Sequence, residues 1–117
     1  MADLDQIIRG SERRIQECVN RRNGVMVNLG KIDTELAESN RVLATMQQNL
    51  ATAHVTRPRT RELDAETGRL AAECRIFRET LATLAATKTA CLNHLSDLDE
   101  QLATERRILQ AAQRARR

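Results

Sequence analysis

Residues 29–50 read LGKIDTELAESNRVLATMQQNL. Steps of three and four residues in alternation, starting at Leu29, land on Ile32, Leu36, Ser39, Leu43, Met46 and Leu50. Only Ser39 among these is polar. Such alternation is a 3.5-residue repeat. It holds one narrow apolar seam of a helix against a neighbouring helix and leaves the remaining positions to solvent. A strand would instead alternate every second residue.

The same phase runs back through Val25, Arg22, Cys18, Ile15, Ser11, Ile8 and Leu4 without a slip. It resumes further along as Leu63, Thr67, Leu70, Cys74, Phe77, Leu81, Leu84, Lys88, Cys91, Leu95, Leu98, Leu102, Glu105, Leu109 and Ala112. Between the two runs lies His54-Val55-Thr56-Arg57-Pro58-Arg59-Thr60-Arg61, which holds the only proline. Pro58 cannot sit inside a helix but suits a first turn, and Thr56 or Thr60 can cap the helix that follows. A short connection implies antiparallel neighbours. The expectation is an all-α, long antiparallel two-helix coiled-coil hairpin, dimerising or not to a four-helix bundle. Its parts are a helix over 3–53, a tip loop over 54–60 and a helix over 61–115. At 1.5 Å per residue the expected length is roughly 70–80 Å.

Composition agrees. The chain has 117 residues, suited to one domain, with 30% charged residues and a single aromatic, Phe77. A globular core draws on several aromatics, each burying a large area. Four glycines and one proline are too few for a loop-rich fold. No apolar run reaches the roughly 18 residues of a membrane span. The first ten residues, MADLDQIIRG, carry acids and no apolar signal core. A cytoplasmic protein without a membrane span is expected.

Pairing Leu50 with Leu63 generates a register: Leu43 with Leu70, Leu36 with Phe77, Leu29 with Leu84, Cys18 with Leu95, Ile15 with Leu98 and Leu4 with Leu109. On the flanks this sets Asp33 against Arg78 and Asp5 against Arg106, both attractive, and Glu12 against Asp99, which is repulsive. Exposed pairs contribute at most ~0.5–1 kcal/mol each. Residues 20–30, NRRNGVMVNLG, are poor in helix formers, and Gly24 and Gly30 each cost ~1 kcal/mol relative to Ala. The unbroken phase favours a continuous helix there. Arg22 and Lys88 both occupy seam positions, so a hinge or wet segment is expected around Arg22, Gly24, Gly30 and Lys88.

The pattern argues against catalysis. No nucleophile–base pair or phosphate-binding glycine loop stands out. Asp97, Asp99 and Glu100 form an acidic group, but on a convex face without the desolvated cleft that acid–base chemistry requires. Cys18, Cys74 and Cys91 all fall on the seam and read as small buried hydrophobes. Cys91-x-x-His94 near Cys18 lacks a fourth zinc ligand and has Arg21 and Arg22 beside it. No enzyme activity, metal or cofactor is expected.

The remaining signals concern partners. The net charge is +3, and Lys31 and Lys88 are the only lysines among 19 basic residues. The excess sits at the tip, in Arg57, Arg59 and Arg61, and at the C-terminal end, in Arg106, Arg107, Arg114, Arg116 and Arg117. Both groups suit an acidic protein surface. Nucleic acid is disfavoured by the lack of aromatic stacking residues and of a long basic stripe. Val19, Met26, Ala85 and Leu92 widen the apolar stripe along one flank, which asks for further helices, from a partner or from a second copy.

Across residues 4–112 the chain resembles the FliJ/YscO family, the small coiled-coil stalk proteins of type III secretion and flagellar export. The resemblance lies in architecture: an antiparallel hairpin, basic and aromatic-poor, with both termini at one end. It implies that Leu4 to Val19 and Leu95 to Arg117 insert into a hexameric export ATPase, and that the tip from Arg57 to Arg61 faces an export gate or chaperone. The expected function is therefore a non-catalytic protein-interaction or assembly protein of protein transport. The competing expectation is a homodimeric four-helix bundle that scaffolds a complex or binds nucleic acid through its Arg-rich ends.

Overall fold

The computed structural model describes residues 2–117. Two helices account for nearly all of them: α1, Ala2–Val55, and α2, Arg61–Arg116. No strand occurs among the described residues. Both helices extend slightly past the expected limits, and the connector shrinks to residues 56–60. The charges at the helix ends suit the backbone dipoles. Asp3 and Asp5 lie in the first turn of α1 and His54 in its last; Glu62 and Asp64 open α2, and Arg114 and Arg116 close it. Among the described residues no helix is long and apolar enough to cross a membrane.

The inward seam is the one read from the repeat. Every seam position from Leu4 to Leu50 and from Leu63 to Ala112 is buried or half-buried, whereas almost every residue between them is exposed. Ala53 continues the seam to the end of α1 and is buried as well. The fold is thus a helical hairpin, and its packing falls into two units. One comprises the residues up to Gly30 with Thr89–Arg117; the other is Lys31–Lys88.

In the first unit, Cys18, Val25 and Leu29 of α1 pack with Leu98 and Leu102 of α2 as a buried cluster. Ile15, Val19, Cys91 and Leu95 close around it. Ser11 is fully buried and accepts a hydrogen bond from Arg14 Nη2 at 3.3 Å. In the Lys31–Lys88 unit only small seam residues are buried, namely Ala53, Thr67 and Cys74, while the leucines and Phe77 stay half-buried.

The register differs from the expected one. The Cys18 thiol donates to the Leu98 carbonyl at 3.4 Å and approaches Gln101 Oε1 at 3.7 Å, beyond the expected Leu95. Asp33 pairs with Lys88 at 2.7 Å in place of Arg78, and Asp5 lies 3.4 Å from Arg116 in place of Arg106. Asp99, expected to repel Glu12, instead accepts from Arg22 at 2.7 Å. The reason is that a heptad seam is blind to a whole-heptad slip: the same residues face inward in either alignment. Flanking charges and tip closure separate the alternatives, and the observed alignment replaces a repulsion with an attraction. It also relieves both seam cations. Arg22 and Lys88 each extend from the seam to a carboxylate of the other helix.

Residues 20–30 are helical throughout, with no turn at Asn23-Gly24. Neither Gly24 nor Gly30 has a positive φ, and a Cβ added at either would meet no atom within 4 Å. Their cost is therefore one of helix propensity alone. Gly24→Ala and Gly30→Ala are each expected to stabilise the chain by roughly 0.5–1 kcal/mol, seen as a raised midpoint in urea unfolding monitored by circular dichroism. A lowered midpoint would show that these glycines serve a conformation other than a straight helix.

Candidate interaction surfaces

The tip is built around one arginine. Thr60 caps α2: its hydroxyl accepts from Leu63 N at 3.0 Å and its carbonyl from Asp64 N at 2.9 Å. Pro58 lies in the connector and not in the first turn, and the Arg57–Pro58 peptide is cis. Thr56 belongs to the end of α1, donating to the Thr52 carbonyl at 2.6 Å. Arg59 spans the two helices. Its Nη1 donates to the Ala53 carbonyl, its Nε and Nη2 to Asp64 Oδ1 at 3.0 and 2.6 Å, and its Nη2 also to Thr67 Oγ1 at 3.3 Å. A cation at the C-terminus of one helix and an acid at the N-terminus of the next are each favoured by the helix dipoles, so Arg59 satisfies both ends at once.

The three tip arginines are therefore not equivalent. Arg59 is 28% exposed and occupied within the chain. Arg57 is exposed, and its Nη1 donates at 3.0 Å to both the His54 and Thr56 carbonyls. Arg61 is exposed at the start of α2 and makes no ion pair among the described residues. Sequence reading treated them alike. The signal it passed over was Asp64, one turn into a helix whose cap was already in view.

At the terminal end, Arg106, Arg107, Arg114, Arg116 and Arg117 are all exposed. Arg116 is shared with Asp5, and Arg107 donates to the Ala103 carbonyl at 3.3 Å. Arg106, Arg114 and Arg117 make no ion pair among the described residues. Glu105 occupies a seam position with its side chain 19% exposed. One oxygen accepts from Arg14 Nε at 2.9 Å, while Oε2 is buried without a hydrogen-bond partner.

The apolar flank divides. Val19 is half-buried against the core cluster, while Met26 and Leu92 are each 46% exposed. Ala85 is exposed and belongs to the Lys31–Lys88 unit. With Arg22 opposite Asp99, Met26 lies one turn beyond the first and Leu92 two turns before the second, on one flank of the same unit. Of the proposed hinge residues, Arg22 and Lys88 carry the crossed ion pairs. Gly30 and Lys88 also mark where the two units divide.

The chemistry-bearing side chains are spread out. Asp97, Glu100 and Glu105 line a shallow, solvent-open groove with Arg14, Arg21 and Cys18, where the opposed charges face one another. Among the described residues no group of three His, Cys, Asp or Glu is placed to hold a metal ion. On α2, Arg69 ion-pairs with both Glu66 and Glu73. The hydrogen bond from Arg69, and then its charge, hold the Glu66 carboxyl below its usual range. A depressed carboxylate stabilises the fold above its unfolded pKa and loses that contribution as pH falls through the folded one. The loss belongs below about pH 4.

Arg59→Ala is expected to lower stability by about 1–3 kcal/mol, since it leaves the carbonyl of buried Ala53, at the end of α1, without its donor. Arg61→Ala should change it by less than about 0.5 kcal/mol. Chemical denaturation of the two variants side by side checks this, and equal effects would show that the clasp contributes nothing. The chain matches no protein-family model, and no curated protein or solved structure matches it significantly.

Proposed function

We propose that this protein is a non-catalytic coiled-coil adaptor that works by holding other proteins, and specifically a stalk of a type III export ATPase. The observation that carries the first part is the division of the surface. Most large apolar side chains are committed to one seam, the pockets are open and charged, and the cations at the C-terminal end outnumber their carboxylate partners. An arrangement of this kind offers long faces to other proteins and little enclosure to a small molecule. The second part rests on the architectural resemblance of the hairpin to the FliJ/YscO stalks, with both chain ends in one unit.

In that reading the unit bearing both ends enters the ATPase ring. Arg106, Arg107, Arg114 and Arg117 meet its acidic surface, with Arg116 partly engaged by Asp5. Arg57 and Arg61 remain for a gate or chaperone protein, and Arg59 holds the tip in shape. Compliance belongs at Arg22, Gly24, Gly30 and Lys88. A cytoplasmic location goes with it. The runner-up, a homodimeric bundle acting as a scaffold, is favoured by Met26 and Leu92, large apolar side chains left exposed on one flank.

Light scattering on the purified chain, followed by binding to a purified hexameric export ATPase, tests the reading. The expected result is a monomer that binds the hexamer with submillimolar affinity. The combined change Arg106→Ala, Arg107→Ala, Arg114→Ala and Arg117→Ala should weaken binding by tenfold or more at low salt, and by less at high salt, since exposed charges are screened. A tight dimer with no affinity for the ATPase would replace the stalk by the scaffold.

A further inference from the structure

The Lys31–Lys88 unit leaves its large seam residues partly uncovered. Leu36, Leu43, Met46, Leu70, Phe77 and Leu81 are all half-buried. The two helices do not enclose these side chains as they enclose Leu98 and Leu102 in the other unit, and a groove stays open on either side of the seam. One side differs from the other in chemistry. Val42, which precedes the seam residue Leu43, is 48% exposed, and Ile76, which precedes Phe77, is 59% exposed. Thr45 follows Val42 by three residues; Thr80 and Thr83 follow Ile76 by four and seven, so each set shares a helix face. Thr80 precedes Leu81 as Val42 precedes Leu43. Asp33, by contrast, follows its seam residue Ile32 and meets Lys88 on the opposite flank.

The threonines do not make this flank polar. Each hydroxyl donates to the carbonyl one turn back in its own helix: Thr45 to Arg41 at 3.2 Å, Thr80 to Ile76 at 3.2 Å and Thr83 to Glu79 at 3.1 Å. The donors are satisfied before anything docks, so covering them costs little desolvation. A partner meets β-branched carbon. Carboxylates bracket the patch along the helices. Glu35 and Glu38 lie one heptad before Val42 and Thr45, while Glu73 and Glu66 precede Ile76 on α2, all exposed. Of the cations on this flank, Arg69 is held by Glu66 and Glu73, leaving Lys31 at the far end.

We propose that the Val42–Ile76 flank is a docking groove for an amphipathic helix of a partner protein, one whose apolar spine is bordered by Lys or Arg. A groove between two helices accepts a third helix through anchors spaced by three and four residues. Two carboxylates against one cation remain at each end, Glu35 and Glu38 with Lys31 and Glu66 and Glu73 with Arg69, and this net negative charge favours basic borders. A second copy of this chain would set the same acids against one another, which disfavours self-association through this flank. The site lies within the Lys31–Lys88 unit and stands whichever machine the chain ends serve.

The test uses the full chain and two synthetic three-heptad helical peptides with the same Leu/Ala spine, one bordered by Lys and one by Glu. Fluorescence anisotropy should show the Lys peptide binding about tenfold or more tightly than the Glu peptide. The double change Val42→Gln and Ile76→Gln should weaken the Lys peptide by about tenfold or more. Both positions are exposed and Gln forms helix well, so circular dichroism should be unchanged. Arg78→Ala, on the other flank, should leave binding as it was. Equal affinity for the two peptides, absence of saturable binding, or indifference to the double change would overturn the proposal. So would a dimer in light scattering that the double change disperses, since the groove would then belong to a second copy.

Discussion

Each helix of this protein has a single source of burial, the seam it shares with the other. There is no third layer to compensate for a lost contact, and the interior is one residue wide at each level. That constraint explains why small residues take the most enclosed positions. Ser11 and Cys74 are the fully buried side chains, being short enough for two helices to cover on all sides. It also explains why most polar seam residues come with a partner or a satisfied hydroxyl. Ser11 receives Arg14, Thr67 donates to the Leu63 carbonyl and receives Arg59, and Arg22 and Lys88 reach across to carboxylates. A buried polar group without such a partner is costly, and Glu105 has one buried oxygen left over.

Which residues turn inward was legible from spacing alone, because inward orientation depends only on a residue's own helix. From Leu4 to Ala112, each residue on the three-and-four repeat is at least half-buried. Register was not legible, because it depends on two helices together. Leu36 fits beside Phe77 or beside Leu84 equally well, and a heptad repeat scores both alike. The information lay in scattered charges: Asp99 needed Arg22, and Asp33 needed Lys88. Reading Arg22 and Lys88 as defects concealed that each was half of a cross-helix pair.

A similar limit governs the surfaces. Three arginines within five residues form a uniform basic group on paper, yet one of them is internal. Its role follows from the geometry of the turn, in which a helix end and a helix start come within reach of a single guanidinium. The fork of donors on Arg suits such a task, since one plane serves a carbonyl and a carboxylate together. A lysine there would supply charge without the shape.

The cysteines give the chain an internal gauge. Cys74 is 1% exposed, Cys18 is 6% exposed with its thiol turned to a carbonyl, and Cys91 is half-buried. None is in a disulfide. A thiol reagent reaches a buried sulfur only when the helices around it part, so its reaction rate measures local opening. Cys74 reports on the Lys31–Lys88 unit, and Cys18 and Cys91 on the unit that holds the chain ends. The same feature that fills a narrow seam with small atoms thus makes the breathing of each half separately visible, with no label introduced.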